Sequence, residues 1–270
     1  MDKLQRLKEF ISRYQSVVIA FSGGADSTFL ACVSKEILGQ HVLLVTATSS
    51  TYPFYELEEA KEIARFLALP HKIIISEEID IPGFADNPPD RCYYCKKELF
   101  AKIKYIARQE NYEVVFDGSN ADDLNDYRPG MKAIREAFVI SPLKELGFSK
   151  EEIRIYSRQY KLPTADKPSY ACLASRFPYG ERITSEKLNR IARVEWEIRK
   201  LGFTQFRVRN HEQMARLEFI DAEMDKAWVL RDQLNNICKS AGFIFVAIDL
   251  TGYKTGKMND VFNRQRRNEA

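Results

Sequence analysis

An apolar run, Val17-Val18-Ile19-Ala20-Phe21, passes directly into Ser22-Gly23-Gly24-Ala25-Asp26-Ser27, and a helical pattern begins there and stops at Gly39. A continuous β-branched run of this kind reads as a strand buried on both faces, as in parallel sheets covered by helices. Two adjacent glycines permit the tight turn that joins such a strand to a helix. Inward-pointing amides in the turn and the positive end of the helix make a cradle for an anion. Ser22 and Ser27 add hydroxyl donors, and Asp26 suits a Mg²⁺ ion standing between a carboxylate and phosphates. The spacing is neither the Walker A pattern nor the dinucleotide glycine pattern. The bland alternative is a glycine turn that binds nothing.

The same alternation continues downstream. The pattern predicts a helix over residues 3–14, a second buried strand at Val42–Thr46, a helix opened by Pro53, a third strand at Lys72–Ser76, a helix from Cys95 to Gln109 and a fourth strand at Val114–Asp117. A short fifth strand is expected at 138–141, and Ser149 with Glu152 forms a capping box for a helix at 150–160. Strands alternating with helices imply an α/β fold with a parallel sheet. Residues 161–183 read as irregular, after which the pattern changes: a helix at 185–201, a hairpin of Gln205–Arg209 with Met214–Phe219, a helix at 221–241 and a strand at 244–250. Both helices of this tail end in Gly-Phe before a strand. Two domains are therefore expected, 1–182 and a small α+β domain at 183–270.

The chain is long enough for two domains, and its 41 basic and 38 acidic residues nearly balance, which does not indicate a dedicated nucleic-acid binder. No stretch approaches the roughly 18 apolar residues of a membrane span. The charged, amphipathic start lacks the apolar core of a signal peptide, so a cytoplasmic location is expected.

Ser-Gly-Gly-x-Asp-Ser after a first strand resembles the PP-loop of the ATP pyrophosphatases. That resemblance implies a doubly wound parallel sheet of the adenine nucleotide alpha hydrolase-like type, and an enzyme that adenylylates a substrate with release of pyrophosphate. Asp117-Gly118-Ser119-Asn120 stands at the carboxyl end of the fourth strand, where ligands bind in such sheets. Gly118 and Asn120 are thus expected to join Ser22, Gly23, Gly24, Asp26 and Ser27 at the nucleotide, with Thr46 and Ala47 beneath the adenine.

The five cysteines, an odd number, argue against a disulfide framework. Cys92 and Cys95 form a CxxC, which alone suits a redox pair, half a zinc site or part of an iron–sulfur site. There is no second CxxC, and the histidines show no ligand spacing. With Cys172, three cysteines can hold a [4Fe–4S] cluster with one iron open to a sulfide; three unconnected thiols are the alternative. Cys32 and Cys238 lie among apolar neighbours on expected helices and read as structural.

Several motifs in order carry a more specific resemblance: the PP-loop, Asn125-Asp126-Tyr127-Arg128-Pro129-Gly130, Cys172 followed by Ser175-Arg176-Phe177-Pro178-Tyr179-Gly180, Arg207-Val208-Arg209, and Gly256-Lys257-Met258-Asn259-Asp260. Together they resemble the LarE family, the sulfur transferases that mature the nickel-pincer nucleotide cofactor of lactate racemase. The resemblance implies adenylylation of a carboxylate of pyridinium-3,5-biscarboxylic acid mononucleotide and replacement of AMP by sulfur. Some members sacrifice a cysteine matching Cys172 and lack the CxxC; this chain is similar to the branch that carries a [4Fe–4S] cluster on Cys92, Cys95 and Cys172. It further implies catalytic roles for Asp26, Cys172 and Glu195. Arg176, Glu195, Arg207 and Arg209 would line the substrate site, with Lys254, Lys257, Asp126 and Arg128 as further contacts. A homo-oligomer and a supply of sulfide or a sulfur-delivery system are implied as well, with the second domain serving substrate binding and oligomerisation. Competing expectations are a PP-loop tRNA thiolase, an amidating PP-loop ligase and a non-enzymatic nucleotide sensor.

Overall fold

The computed structural model describes residues 2–125, 129–168, 171–254 and 256–257. The chain forms two compact units, Met1–Phe84 with Pro89–Tyr170 and Ala85–Pro88 with Ala171–Ala270. The division therefore falls after Tyr170, earlier than the irregular composition up to 183 suggested. The reason is tertiary: Arg176 is ion-paired with Glu195 at 2.8 Å, and Arg209 Nη1 donates to Ser175 O at 2.7 Å. Those bonds bind the segment around Arg176 to the second unit.

The first unit comprises α1 (Lys3–Ile11), β1 (Val17–Ala20), α2 (Ala25–Leu38), β2 (Val42–Thr48), α3 (Phe54–Phe66), β3 (His71–Ile75), α4 (Arg91–Gln109), β4 (Val114–Phe116), α5 (Gly130–Glu136), α6 (Pro142–Glu145) and α7 (Lys150–Gln159). The four strands are parallel in the order β3-β2-β1-β4, an α/β fold. Successive residues of β1 and β2 feed opposite cores. Val17, Ile19, Val42 and Leu44 pack with Leu7, Phe29, Ala60 and Ile153. Val18, Leu43 and Val45 pack with Phe100, Ile103 and Ile134. Both sheet faces are thus covered by helices, which is why β1 and β2 are continuously apolar.

Two expectations for the first unit are corrected. In place of the fifth strand, Ile140 makes one bridge to Phe116. The chain then enters α6 at Pro142, whose missing N–H cannot extend a ladder. Helix α4 begins at Arg91 rather than near Cys95, because its first turn carries exposed Cys92 and has no apolar periodicity to announce it. Pro53 opens α3 as expected, standing at its N-cap, where the missing N–H costs no helical bond. The capping box of α7 is present: Ser149 Oγ accepts from Glu152 N at 3.2 Å and Ser149 N donates to Glu152 Oε2 at 2.8 Å.

The second unit holds α8 (Ser185–Lys200), β5 (Phe206–His211), β6 (Met214–Phe219), α9 (Met224–Val229), α10 (Arg231–Ser240) and β7 (Phe245–Ile248). β5 and β6 form the antiparallel hairpin, and β7 returns parallel to β6. The helix expected over 221–241 is instead a 3-10 turn at Asp221–Glu223 and two helices divided at Leu230, whose φ of -91° and ψ of 13° leave the helical range, although Leu230 N still donates to Lys226 O and Leu234 N to Leu230 O, both at 3.0 Å. The Phe after each Gly, Phe203 and Phe243, is buried at 2% exposure, so the repeated Gly-Phe marks a helix stop followed by a core anchor. No helix among the described residues is long and apolar enough to cross a membrane.

Candidate active site

The site of the first unit is built on the turn between β1 and α2. Gly24 is the N-cap of α2, and Gly23 has φ +67°, a left-handed conformation that favours glycine. A Cβ on Gly23 would stand 2.8 Å from Ala60 Cα of α3, so space as well as backbone conformation demands glycine there. Ser27 Oγ donates to Gly24 O at 3.2 Å, closing the first turn of α2 over the loop. On the other side, a Cβ on Gly118 would lie 3.1 Å from Ser27 N; this close approach lets the end of β4 sit against the helix N-terminus.

Asp26 lies in that first turn. Its Oδ2 accepts from Asn120 Nδ2 at 3.1 Å and from Lys150 Nζ at 3.2 Å. Its Oδ1 is buried and has no hydrogen-bond partner among the described residues. Asn120, 2% exposed, is fixed in turn by Asp122 N–H on its Oδ1 at 3.0 Å. Asp117 accepts from Ser119 Oγ at 2.6 Å and from Ser141 Oγ, so this carboxylate braces the end of β4.

Two lysines that the sequence reading passed over stand at the loop. Lys150 is the first residue of α7, directly after the N-cap Ser149, where it looks like an ordinary surface charge. Lys167 lies outside regular structure, 12% exposed, ion-paired with Glu56 Oε2 at 2.9 Å and Glu59 Oε2 at 2.7 Å. It also donates to Gly23 O at 3.3 Å. Burial lowers its pKa, but the two carboxylates outweigh this and hold it above its ordinary value. Nothing in local periodicity identifies such a residue; only its two glutamate partners on α3 do.

Thr46 is 1% exposed, and its hydroxyl donates to Phe21 O at 2.7 Å and meets His71 Nε2 at 2.8 Å. Its side chain therefore joins β2 to the end of β1, while neighbouring Ala47 is half-buried. Burial lowers the pKa of His71.

Cys92 and Cys95 sit one turn apart at the start of α4. Cys92 is exposed, and Cys95 Sγ lies 3.7 Å from Oε1 of Glu78. Cys172 belongs to the second unit and is exposed, at the N-cap of a 3-10 turn over Leu173–Arg176. Among the described residues no group of three or more His, Cys, Asp or Glu side chains is placed to hold a metal ion. Cys238 is buried, and burial pushes its thiol up to about 12; Cys32 is half-buried.

The second unit gathers the arginines. Arg176, 1% exposed, grips Glu195 of α8 with two parallel bonds, Nε to Oε1 and Nη2 to Oε2, each 2.8 Å. Its Nη1 bonds Ala171 O at 2.8 Å and Ser175 Oγ at 2.9 Å. Glu195 Oε1 also accepts from Val208 N at 3.0 Å. Burial works to raise the Glu195 pKa, but Arg176 outweighs it and keeps the carboxyl below its ordinary range. Glu195 as seen here positions Arg176 and β5. On β5, Arg209 bonds Glu218 Oε2 at 2.7 Å and Ser175 O at 2.7 Å, while Arg207 stacks 4.8 Å from the Tyr253 ring centre. Burial, with Arg176 nearby, lowers the Arg207 pKa. Lys257 pairs with Asp249 at 2.8 Å, and Lys254 is exposed. Asp126 and Arg128 lie outside the described residues, as do Met258, Asn259 and Asp260.

A parallel sheet of this order, with a Ser-Gly-Gly-x-Asp-Ser turn at its first strand, defines an enzyme of the PP-loop class, with the adenine nucleotide alpha hydrolase-like fold. No protein-family model matches the chain. An uncharacterized protein of Synechocystis sp. is 41% identical over 97% of this chain and 99% of its own length. The pyridinium-3,5-bisthiocarboxylic acid mononucleotide synthase of Lactiplantibacillus plantarum is 34% identical over 93% of this chain and 91% of its own. A tRNA-specific 2-thiouridylase of Caldicellulosiruptor saccharolyticus is 28% identical over 64% of this chain and 59% of its own. The chain belongs to the family of the pyridinium-3,5-bisthiocarboxylic acid mononucleotide synthase, LarE, and is an ATP-dependent sulfur transferase.

Proposed function

We propose that the protein adenylylates a carboxylate of pyridinium-3,5-biscarboxylic acid mononucleotide and replaces the AMP by sulfur, in the maturation of a nickel-pincer cofactor. One carboxylate oxygen attacks the α-phosphorus of ATP and pyrophosphate leaves. Sulfur then attacks the acyl carbon, and AMP departs with that oxygen, leaving a thiocarboxylate. A carboxylate resists nucleophiles, and the mixed anhydride supplies the leaving group it lacks.

The observation that carries this reading is Asp26. It is the one carboxylate in the first turn of α2, held by Asn120 and Lys150 on Oδ2, with Oδ1 buried and unpartnered among the described residues. An oriented anionic oxygen beside a phosphate cradle fits a magnesium ion, whose chemistry there is to neutralise charge on the departing pyrophosphate. The loop amides and Lys150 serve the same end from the protein side.

The donor chemistry of Cys92, Cys95 and Cys172 fits an iron–sulfur cluster: three thiols, two of them exposed. Held there, such a cluster would supply nucleophilic sulfur. The buried arginines suit a substrate bearing a phosphate and carboxylates, since a guanidinium binds both in a forked geometry. In this reading Glu195 acts by holding Arg176, and Lys254 and Lys257 lie toward the substrate phosphate. The protein works as a homo-oligomer in the cytoplasm.

The test is pyrophosphate release from ATP with the pyridinium dicarboxylate mononucleotide, with tRNA and with neither. Release that requires the mononucleotide, with a thiocarboxylate product by mass, is expected. Stimulation by tRNA alone overturns the assignment.

A further inference from the structure

Behind the phosphate loop stands helix α3 with the turn that precedes it. Tyr52, in that turn, donates from its hydroxyl to Ser22 O at 3.0 Å. Lys167, clamped by Glu56 and Glu59 of α3, donates to Gly23 O at 3.3 Å. Ala60, one turn further along α3, fills the space a Cβ on Gly23 would need. Two consecutive carbonyls of the loop are therefore drawn toward the same helix.

A trans peptide is planar, with its carbonyl and the following N–H pointing in opposite directions. All peptides described in the structure are trans. Pulling Ser22 O toward α3 thus turns Gly23 N–H away from it, and pulling Gly23 O turns Gly24 N–H away from it. Among the described residues Gly24 N–H meets only Ser22 Oγ, at a long 3.4 Å, a bond a phosphate oxygen readily replaces. Glycine at 23 has no side chain to resist rotation of either plane, so the loop's orientation must be imposed from outside.

We propose that Tyr52 and Lys167 are positioning residues of the phosphate loop, holding two peptide planes so that the Gly23 and Gly24 amides face the β- and γ-phosphates of ATP. Neither touches the nucleotide. Their contribution is preorganisation: donors already aimed at developing negative charge need no rearrangement when it appears. Lys167 is suited to the task because Glu56 and Glu59 fix its ammonium and offset its charge. The inference rests on the reading of the loop as the site of ATP.

The test uses the full chain and its Tyr52→Phe, Lys167→Met and Lys167→Arg variants. Calorimetric affinities for Mg²⁺-pyrophosphate and for AMP are measured, with melting temperatures alongside. Tyr52→Phe and Lys167→Met are expected to weaken pyrophosphate about tenfold, the size of one lost hydrogen bond to a charged network, with AMP affinity unchanged. Lys167→Arg should recover most of the loss. Unchanged pyrophosphate affinity in Tyr52→Phe, or an equal loss for AMP and pyrophosphate with a fall in melting temperature, overturns the proposal. If the unaltered chain binds neither pyrophosphate nor ATP, the reading of the loop itself fails; if it binds both and the variants match it, only the present inference does.

Discussion

Asn120 Nδ2 lies 3.1 Å from Asp26 Oδ2, joining the loop after β4 to the first turn of α2 across 94 residues of sequence. The bond leaves one oxygen of Asp26 committed and the other free of any described partner. This division gives the carboxylate a direction.

Asp26→Ala should abolish pyrophosphate release, while Asn120→Ala should lower it about ten- to a hundredfold by letting the carboxylate turn. The comparison is made on protein with an unchanged circular dichroism spectrum. Equal rates for Asn120→Ala and the parent would remove Asn120 from the site.

Gly23→Ala combines a left-handed backbone with a collision against Ala60. It is expected to cost about 1–3 kcal/mol of stability and to remove ATP binding. Urea unfolding and nucleotide titration check the two parts separately.

Replacing Glu195 by Gln strands Arg176 in the interior, and a loss of about 3–5 kcal/mol is expected. The pH dependence follows from the sign of the shift. Burial alone raises the Glu195 pKa, but Arg176 takes it below its unfolded value. Its stabilisation is therefore complete above the ordinary carboxylate range and is lost as pH falls through the depressed folded value. Thermal midpoints measured from neutral pH downward should fall more steeply for the parent than for Glu195→Gln; parallel curves would contradict a depressed Glu195.

Anaerobic reconstitution should load about four irons per chain, lost on replacing Cys92, Cys95 or Cys172 with Ala. Iron analysis and the visible spectrum report it. A parent that takes up no iron would exclude the cluster and return Cys172 as the sulfur donor, with loss of its sulfur after one turnover as the signature.

The sequence by itself determined the local units of this protein. The β-branched run at 17–20, the glycine turn and Gly39 specify a strand, a phosphate loop and a helix, because each depends only on neighbours along the chain. The Ser149–Glu152 capping box was legible for the same reason. Helix α4 was legible only where Phe100, Ile103 and Ala107 face the core; its first turn, with Cys92, buries no apolar stripe and gave no signal. Tertiary structure alone decided the rest. It buried Glu195 against Arg176, although a helix pattern cannot tell a surface glutamate from a paired interior one. It brought Lys150 to Asp26 and Lys167 to Gly23, residues whose own surroundings in sequence are unremarkable. Charges meet through space, and only the folding of α3, α7 and the loop after β4 around one turn sets which of them meet.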